Sequence, residues 1–424
     1  MVLTKEGYRP RLADRAVDNM LKAFGAVCVE GPKWCGKTWM SLNHSDSVMY
    51  VSDPDNNFQN KALIKADISY ALKGGRPHLI DEWQDVPSIW DAVRFEVDKT
   101  AENGRFILTG SSTPKFKGVS HSGAGRIGTL RMRTMSLFES GDSDGSVSLN
   151  GMFDSSVNNG KPVKRSLEHL IALTVRGGWP KTVGMSADAA ALVMKDHFET
   201  CKKDASRLDD KMRDSEKMGM LIRSLARNES TTASDQTIKK DMMAYDGENI
   251  SDVTLADYLD SLRRIFLIDD QPAFSPNFRS SVRVGKTPKR HLTDPAVAAA
   301  ALSLTAEKLL NDLNTYGFLF EAMCERDLQI YAEANGGKLF HYRDGRGREI
   351  DAMIERADGR LGAFEIKLGT DRIDEGAENL LAVSDMMASE GTVISVLCVI
   401  CGMAPCAYRR TDGVYVVPIT SLRD

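Results

Sequence analysis

The sequence predicts an α/β protein in three parts: a parallel-sheet core, a helical middle and a mixed α/β C-terminal end. Three observations lead there. Short apolar runs alternate with helical patterns over residues 1–140, and such alternation implies crossover units and a parallel sheet. Apolar residues then recur at helical spacing through residues 163–310. Residues 311–424 return to strand-like runs beside a helix carrying Phe318, Phe320 and Met323. A length of 424 residues fits two to four domains, at about 100–200 residues each.

The N-terminal runs are Ala26–Glu30, Val48–Val51, His78–Ile80 and Arg105–Thr109, each short enough for a buried strand. A stretch rich in Gly, Ser, Asn and Asp follows, from Ser140 to Pro162, and reads as a linker. In the middle, apolar spacing marks helices around Leu167–Val175, Ala189–Met194 and Met218–Leu225. Thr254–Phe266 begins with a good N-cap and reads as the second helix of a helix-turn-helix, the first lying near Ser234–Met243. Toward the C-terminus, Lys338–Tyr342, Glu349–Ile354 and Leu361–Lys367 read as strands of a mixed sheet, with Thr392–Val399 as a further buried strand. The expected domains are residues 1–150, 151–305 and 306–424.

Composition excludes several classes. Hydrophobic residues make up 42% and charged residues 27%, enough for real cores and unlike a disordered or collagen-like chain. The net charge of −4 and pI near 6.1 exclude a global basic field for nucleic acid. A local patch stays open: Arg279, Arg283, Lys286, Lys289 and Arg290 fall together with no acid between them, where a wing would be. Such a patch could grip phosphates, although Asp257 and Asp260 on the expected recognition helix would repel DNA, and protein contact is the alternative. No segment reaches the roughly 20 apolar residues a membrane helix needs. The opening residues lack the apolar core of a signal peptide, and the seven cysteines are odd in number and scattered. They read as reduced thiols of a cytoplasmic protein. Cys398, Cys401 and Cys406 lie in or beside an apolar strand, and no second Cys/His pair completes a zinc set.

The strongest chemical signal is Gly31-Pro32-Lys33-Trp34-Cys35-Gly36-Lys37-Thr38, which matches G-x-x-x-x-G-K-[ST] between a strand and a helix. Its glycines let the backbone wrap close to phosphate oxygens, and the helix N-terminus adds partial positive charge. Lys37 would reach the β- and γ-phosphates of ATP, and the Thr38 hydroxyl would bind Mg²⁺. His78–Glu82 is an apolar strand ending in two acids. Desolvated carboxylates are costly, so adjacent ones at a strand end point to a task. Asp81 would hold the Mg²⁺ shell and Glu82 would polarise the attacking water. Thr109 and Ser111 end a third strand and could sense the γ-phosphate; a simple turn is the alternative. Arg126 and Arg176, both beside glycines, are candidates for neutralising developing charge, with a structural role as the alternative. No guanine-reading N-K-x-D stands near this core, which favours ATP over GTP.

Taken with Tyr8–Arg11, Leu79–Glu82, Ile107–Ser112, Ala124–Ile127, Met135–Glu139, Gly177–Pro180, Arg348–Asp351 and Phe364–Lys367, these motifs resemble the bacterial and archaeal AAA-type ATPases that carry a C-terminal domain of unknown function. The resemblance spans nearly the whole chain. It implies a P-loop ATPase core, a winged-helix middle and a nuclease-like end of restriction-endonuclease type. Two departures stand out: polar His78 in an otherwise apolar strand, and Trp34 and Cys35 within the phosphate loop.

The last domain carries its own candidate set. Alternation puts Glu365 and Lys367 on one strand face, with Asp351 on the strand before and Glu321 on the preceding helix. This resembles the PD-(D/E)XK nuclease arrangement, in which Glu321, Asp351 and Glu365 would hold Mg²⁺ and Lys367 would orient water. The alternative is a retained scaffold without chemistry. Three readings follow: an ATPase whose nucleotide state controls the other domains, an ATP-coupled nuclease, and a nucleotide-dependent switch or homo-oligomeric scaffold that binds protein partners.

Overall fold

Ala26–Glu30 (β1) buries four successive side chains, because it lies inside an all-parallel sheet with a neighbour on each edge. A computed structural model describes residues 5–113, 121–157, 160, 162, 166–246, 250–277 and 279–424. The remaining strands of this sheet are β2 (Ser47–Tyr50), β3 (His78–Asp81), β4 (Phe106–Gly110) and β5 (Ile127–Arg131), in the order β2-β3-β4-β1-β5. Strand β4 therefore lies between β1 and β3. The accompanying helices are α1 (Asp14–Ala23), α2 (Lys37–Asn43), α3 (Asp55–Ala66) and α4 (Ser88–Thr100). Ile80, Phe106 and Leu108 pack with Ile89, Val93 and Val97 of α4 in one core. Each such side chain contributes about 1.5–3 kcal/mol relative to exposure. His78 is buried within β3, and its Nδ1 bonds Ser47 Oγ at 2.6 Å while Nε2 has no hydrogen-bond partner among the described residues.

This sheet belongs to a first compact unit comprising Met1–Thr134, Arg207–Lys211 and Asp260–Leu267; Met135–Ser206, Met212–Leu259 and Ile268–Asp424 form a second. The first boundary therefore falls at 134/135 and not at 150. Backbone bonding explains the difference. Met135 N–H donates to Gly178 carbonyl at 2.6 Å, Leu137 N–H donates to the Asp327 carboxylate at 2.9 Å, and Val147–Ser148 (β6) pairs with Leu422–Arg423 (β13). The Gly/Ser-rich stretch is thus built into the second unit over its first half; residues 158, 159 and 161 lie outside the described residues.

The second unit holds the helices α5 (Leu137–Ser140), α6 (Leu149–Phe153), α7 (Leu167–Arg176), α8 (Ala187–Ser206), α9 (Ser215–Arg227) and α10 (Asp235–Asp246). Helix α11 (Asp252–Arg264) contributes its residues up to Leu259. Then come α12 (Val282–Gly285), α13 (Pro295–Ala301), α14 (Ala306–Asn311), α15 (Leu313–Ala334) and α16 (Ile373–Ser389). Helices α10 and α11 coincide with the expected pair, and an antiparallel ladder follows through Ile268↔Leu292 and Gln271↔Lys289. The sheet is mixed, in the order β11-β12-β10-β9-β8-β7: β7 (Lys338–Arg343), β8 (Glu349–Glu355), β9 (Leu361–Lys367), β10 (Ile394–Cys401), β11 (Tyr408–Arg409) and β12 (Tyr415–Val417). Ala377, Leu380 and Val383 of α16 pack on Ala363, Met353 and Val399. Cys398 and Cys401 are buried in β10, so their spacing reflects a core strand.

An ionic cluster links α15 to Asp294 and Gly178 within this unit. Arg326 on α15 pairs with Asp294 at 2.9 Å and Asp327 at 2.7 Å, all three buried. Asp294 also accepts Gly178 N–H at 3.0 Å. R326A would leave two buried carboxylates without their cation, so it should destabilise the second unit by about 3–5 kcal/mol. Urea unfolding reads this as an earlier midpoint, and an unchanged midpoint would refute it. In the first unit, His44 at the end of α2 bonds Asp14 and Asp18 of α1 at 2.9 Å each. The Asp14 hydrogen bond is the chief cause raising its pKa above the ordinary histidine value. That stabilisation is full below pH about 6.5 and is lost as pH rises through the folded value. Thermal unfolding should show this alkaline decline, and H44Q should remove it.

Candidate functional site

The loop from Gly31 to Gly36 connects β1 to α2 and folds tightly on itself. A Cβ on Gly31 would stand 2.1 Å from the Met132 carbonyl oxygen, so only glycine fits. Gly36 has φ of +103°, a region open to glycine and strained for other residues. The Lys37 side chain is buried, and its ammonium donates to the carbonyls of Gly31 and Pro32 at 2.9 Å each. Cys35 is buried against the Met132 carbonyl, whereas Lys33 and Trp34 face outward. Arg11 fastens the loop from outside. Its guanidinium donates to the carbonyls of Cys35, Arg133 and Thr134 at 2.9–3.0 Å. Sequence reading marked Tyr8–Arg11 as a motif without assigning this task.

The ends of β3 and β4 complete the arrangement. Asp81 Oδ1 accepts the Thr38 hydroxyl at 2.8 Å and the Thr109 hydroxyl at 2.6 Å. Burial raises the Asp81 pKa, and the Thr109 hydrogen bond partly offsets that rise. Glu82 adopts a left-handed backbone, φ +58°, and its N–H donates to Thr109 Oγ1 at 3.1 Å. Its carboxylate accepts Ser111 Oγ at 3.0 Å and the Gln84 amide. Gln84 carried no motif, and only the tight turn after Glu82 brings it back. Thus Lys37, Thr38, Asp81, Glu82, Thr109 and Ser111 share one end of the sheet. The donor set fits a nucleotide with Mg²⁺: a hydroxyl and a carboxylate for the metal, an ammonium and loop backbone for phosphate.

Neither candidate arginine joins this set. Arg126 precedes β5 beside the Ala26 end of β1, so it lies at the opposite end of the parallel strands from Gly31. It is half exposed and bonds Asp98 at 2.6 Å. Arg176 is buried in the second unit and pairs with Asp142 at 2.7 Å, a structural role.

The C-terminal set is held together by contacts within the chain. Glu365 and Lys367 pair directly at 2.6 Å, and Asn379 on α16 holds the second Glu365 oxygen at 2.9 Å. Asp351 Oδ2 accepts Ile366 N–H at 2.8 Å. Glu321 receives the ammonium of Lys289, which also bonds Glu325 at 2.7 Å. Burial, with Asp351 next, pushes Glu365 up to about 7; burial likewise pushes Glu321 up to about 8, against the pull of Lys289. Among the described residues, no group of three His, Cys, Asp or Glu side chains is disposed to hold a metal ion. The residues expected to hold Mg²⁺ have partners within the chain here: Glu321 with Lys289, Asp351 with the Ile366 N–H, and Glu365 with Lys367 and Asn379.

The basic stretch is spent internally too. Arg283 pairs with Glu355 at 3.1 Å, Arg290 pairs with Asp270 at 3.0 Å and with Asp235, and Lys286 donates to the Arg343 carbonyl. Lys289 is buried among carboxylates, and Arg279 stays exposed. The expected phosphate-gripping patch of five cations does not form. Among the described residues, no helix is long and apolar enough to cross a membrane.

Three family models match in sequence: an AAA domain over residues 23–140, a domain of unknown function (DUF8612) over 167–308, and another (DUF4143) over 316–422. The uncharacterized protein Mb2031c of Mycobacterium bovis is 22% identical over 346 residues, 80% of this chain and 70% of its own. The uncharacterized protein Rv2008c of Mycobacterium tuberculosis matches to the same extent. Among solved structures, the Walker-type ATPase PABY2304 of Pyrococcus abyssi aligns with a TM-score of 0.43 and 14% identity, over 71% of this chain and 96% of that one. With its P-loop sheet, the chain thus carries a segment similar to an AAA domain and a C-terminal segment similar to the DUF4143 domain.

Proposed function

We propose that this protein binds ATP with Mg²⁺ and hydrolyses it, and that its nucleotide state controls the helical and C-terminal regions. The observation that carries the first part is the bonding of Thr38 and Thr109 to one oxygen of Asp81, with Glu82 beside them. Thr38 and Asp81 would hold the metal, which supplies charge neutralisation at the phosphates. Lys37 would exchange its loop carbonyls for phosphate oxygens. The Glu82 carboxylate, aimed by Ser111 and Gln84, would accept a proton from the attacking water. Thr109 and Ser111 would report the γ-phosphate to β3.

A second reading is a nucleotide-dependent switch or homo-oligomeric scaffold that binds protein partners, with a C-terminal domain that cleaves nothing. It is favoured by the internal neutralisation of the C-terminal carboxylates and of the basic stretch. The winged-helix reading of α10, α11 and the following ladder, and action on nucleic acid, belong to the first reading. A cytoplasmic place is supported by seven cysteines that form no disulfide.

K37A should abolish ATP turnover. E82Q should slow it by about 10²–10⁴-fold while nucleotide stays bound, the loss expected for a general base. Steady-state phosphate release and nucleotide binding measure both, and unchanged turnover in K37A would refute the ATPase reading. R126A should leave turnover at the wild-type level. Turnover measured with and without single-stranded DNA, duplex DNA and RNA separates the two readings: stimulation supports nucleic-acid action, and none supports the switch.

A further inference from the structure

Two short segments far along the chain, Arg207–Lys211 and Asp260–Leu267, join the first unit, and Arg264 at the end of α11 links both of them to the sheet. It reaches back 151 positions to Thr113. Its Nε and Nη2 both donate to the Thr113 carbonyl, at 2.8 Å and 2.6 Å, and the Thr113 N–H donates to the Arg264 carbonyl at 3.0 Å. One residue therefore takes up both backbone polar groups of Thr113. The other edge of the guanidinium is forked onto Asp209: Nη2 donates to Oδ1 at 2.7 Å and Nη1 to Oδ2, with Asp260 3.9 Å away. The fork is planar and rigid, so fixing one edge aims the other.

Thr113 lies two positions beyond Ser111, past the end of β4 that stands beside the phosphate loop. Ser111 Oγ donates to the Glu82 carboxylate at 3.0 Å, so Ser112 and one hydrogen bond separate this clasp from Glu82. The end of α11 is anchored a second time. Phe266 has φ of +59°, rare for an aromatic residue, and its ring lies under the Arg131 guanidinium at 5.6 Å. Arg131 ends β5 and is in register with Glu30, the residue before Gly31. Strands β4 and β5 flank β1, so Arg264 and Phe266 engage the chain on both sides of the strand that leads into the phosphate loop. Packing alone does not select the Thr113 contact. Thr113 is exposed, water would satisfy its carbonyl, and ordering an arginine and an aspartate there costs side-chain entropy. What the clasp secures is the position of the chain just beyond Ser111.

We propose that Arg264 is a positioning residue for ATP hydrolysis. It fixes the backbone beyond β4, and with it Ser111, so that the Ser111 hydroxyl keeps the Glu82 carboxylate turned toward the attacking water. Without the clasp, β4 keeps its ladder to β1 and β3, but the chain at Ser111 gains the freedom to move off Glu82. The phosphate loop does not depend on the clasp, because its own bonds run to Asp81 and Arg11. The inference rests on the reading of Glu82 as the group that accepts the proton of the attacking water. It places part of what hydrolysis needs outside residues 23–140, the span that matches an AAA domain.

Steady-state phosphate release by the full chain gives kcat and KM, and ATP binding is measured beside it. R264A should lower kcat by about 10²-fold, the loss a small displacement near the reacting groups produces, while ATP affinity is kept. R264K retains the charge without the fork and should recover only part of the rate. The pairing with Ser111 separates positioning from mere support: R264A/S111A should turn over no more slowly than S111A, because both changes break the same chain of contacts. Wild-type kcat in R264A would overturn the proposal, and so would a double variant slower than S111A by the full R264A factor. K37A tests the ATPase reading by itself. Turnover that K37A abolishes and R264A leaves untouched sinks the clasp alone, whereas a wild-type protein that releases no more phosphate than K37A sinks both. Where circular dichroism shows R264A unfolded, D209N loosens one edge of the fork and should lower kcat in the same direction; an unchanged kcat there counts against the proposal.

Discussion

The nucleotide site depends on one constraint: β3, β4 and β1 all run the same way. In a parallel sheet every strand ends on the same side, so residues far apart in sequence converge there without any dedicated contact. Gly31 follows β1, Asp81 ends β3 and Thr109 lies near the end of β4. The hydrogen bonds between Thr38, Asp81 and Thr109 are the product of this register. The same rule removes Arg126, because a residue that precedes a parallel strand stands at the far end from one that follows its neighbour.

A second principle governs the other unit. A buried charge needs a partner, and here the partners are in the chain. Arg326 balances Asp294 and Asp327, and Lys289 balances Glu321 and Glu325. Arg283 and Arg290, which read as a surface patch along the sequence, are neutralised by Glu355, Asp235 and Asp270 from other segments. A run of like charges predicts an external partner only when the fold leaves it outside. Here the ladder from Ile268 to Leu292 turns most of that run inward.

These two principles also explain how far the sequence was legible. The phosphate loop, Asp81 and Glu82 could be read directly, because their chemistry depends on local spacing between a strand and a helix. Gln84 and Arg11 were not assigned, since their roles depend on a turn and on a return path that leave no periodic signal. Lys289 reads as a surface cation along the sequence, because its partners, the carboxylates of Glu321 and Glu325 and the carbonyl of Asp351, lie over thirty residues away. The boundary near 134 was hidden for the same reason: a polar, small-residue stretch looks like a linker, yet its backbone pairs with the C-terminal strand at Leu422–Arg423.

Arg11 gives the first unit an unusual outline. The recognised AAA segment starts at residue 23, but the phosphate loop is clasped by a side chain twelve positions upstream of that point. The same short segment, through Asp14 and Asp18 of α1, also holds His44 at the far end of the helix that begins with Lys37. Both ends of the loop-and-helix element are therefore braced by residues that family boundaries leave out. A fragment cut to the recognised domain would keep every residue of the phosphate motif and lose the frame that shapes it. Recognition of a motif and the extent of the chain that makes it work are separate quantities in this protein.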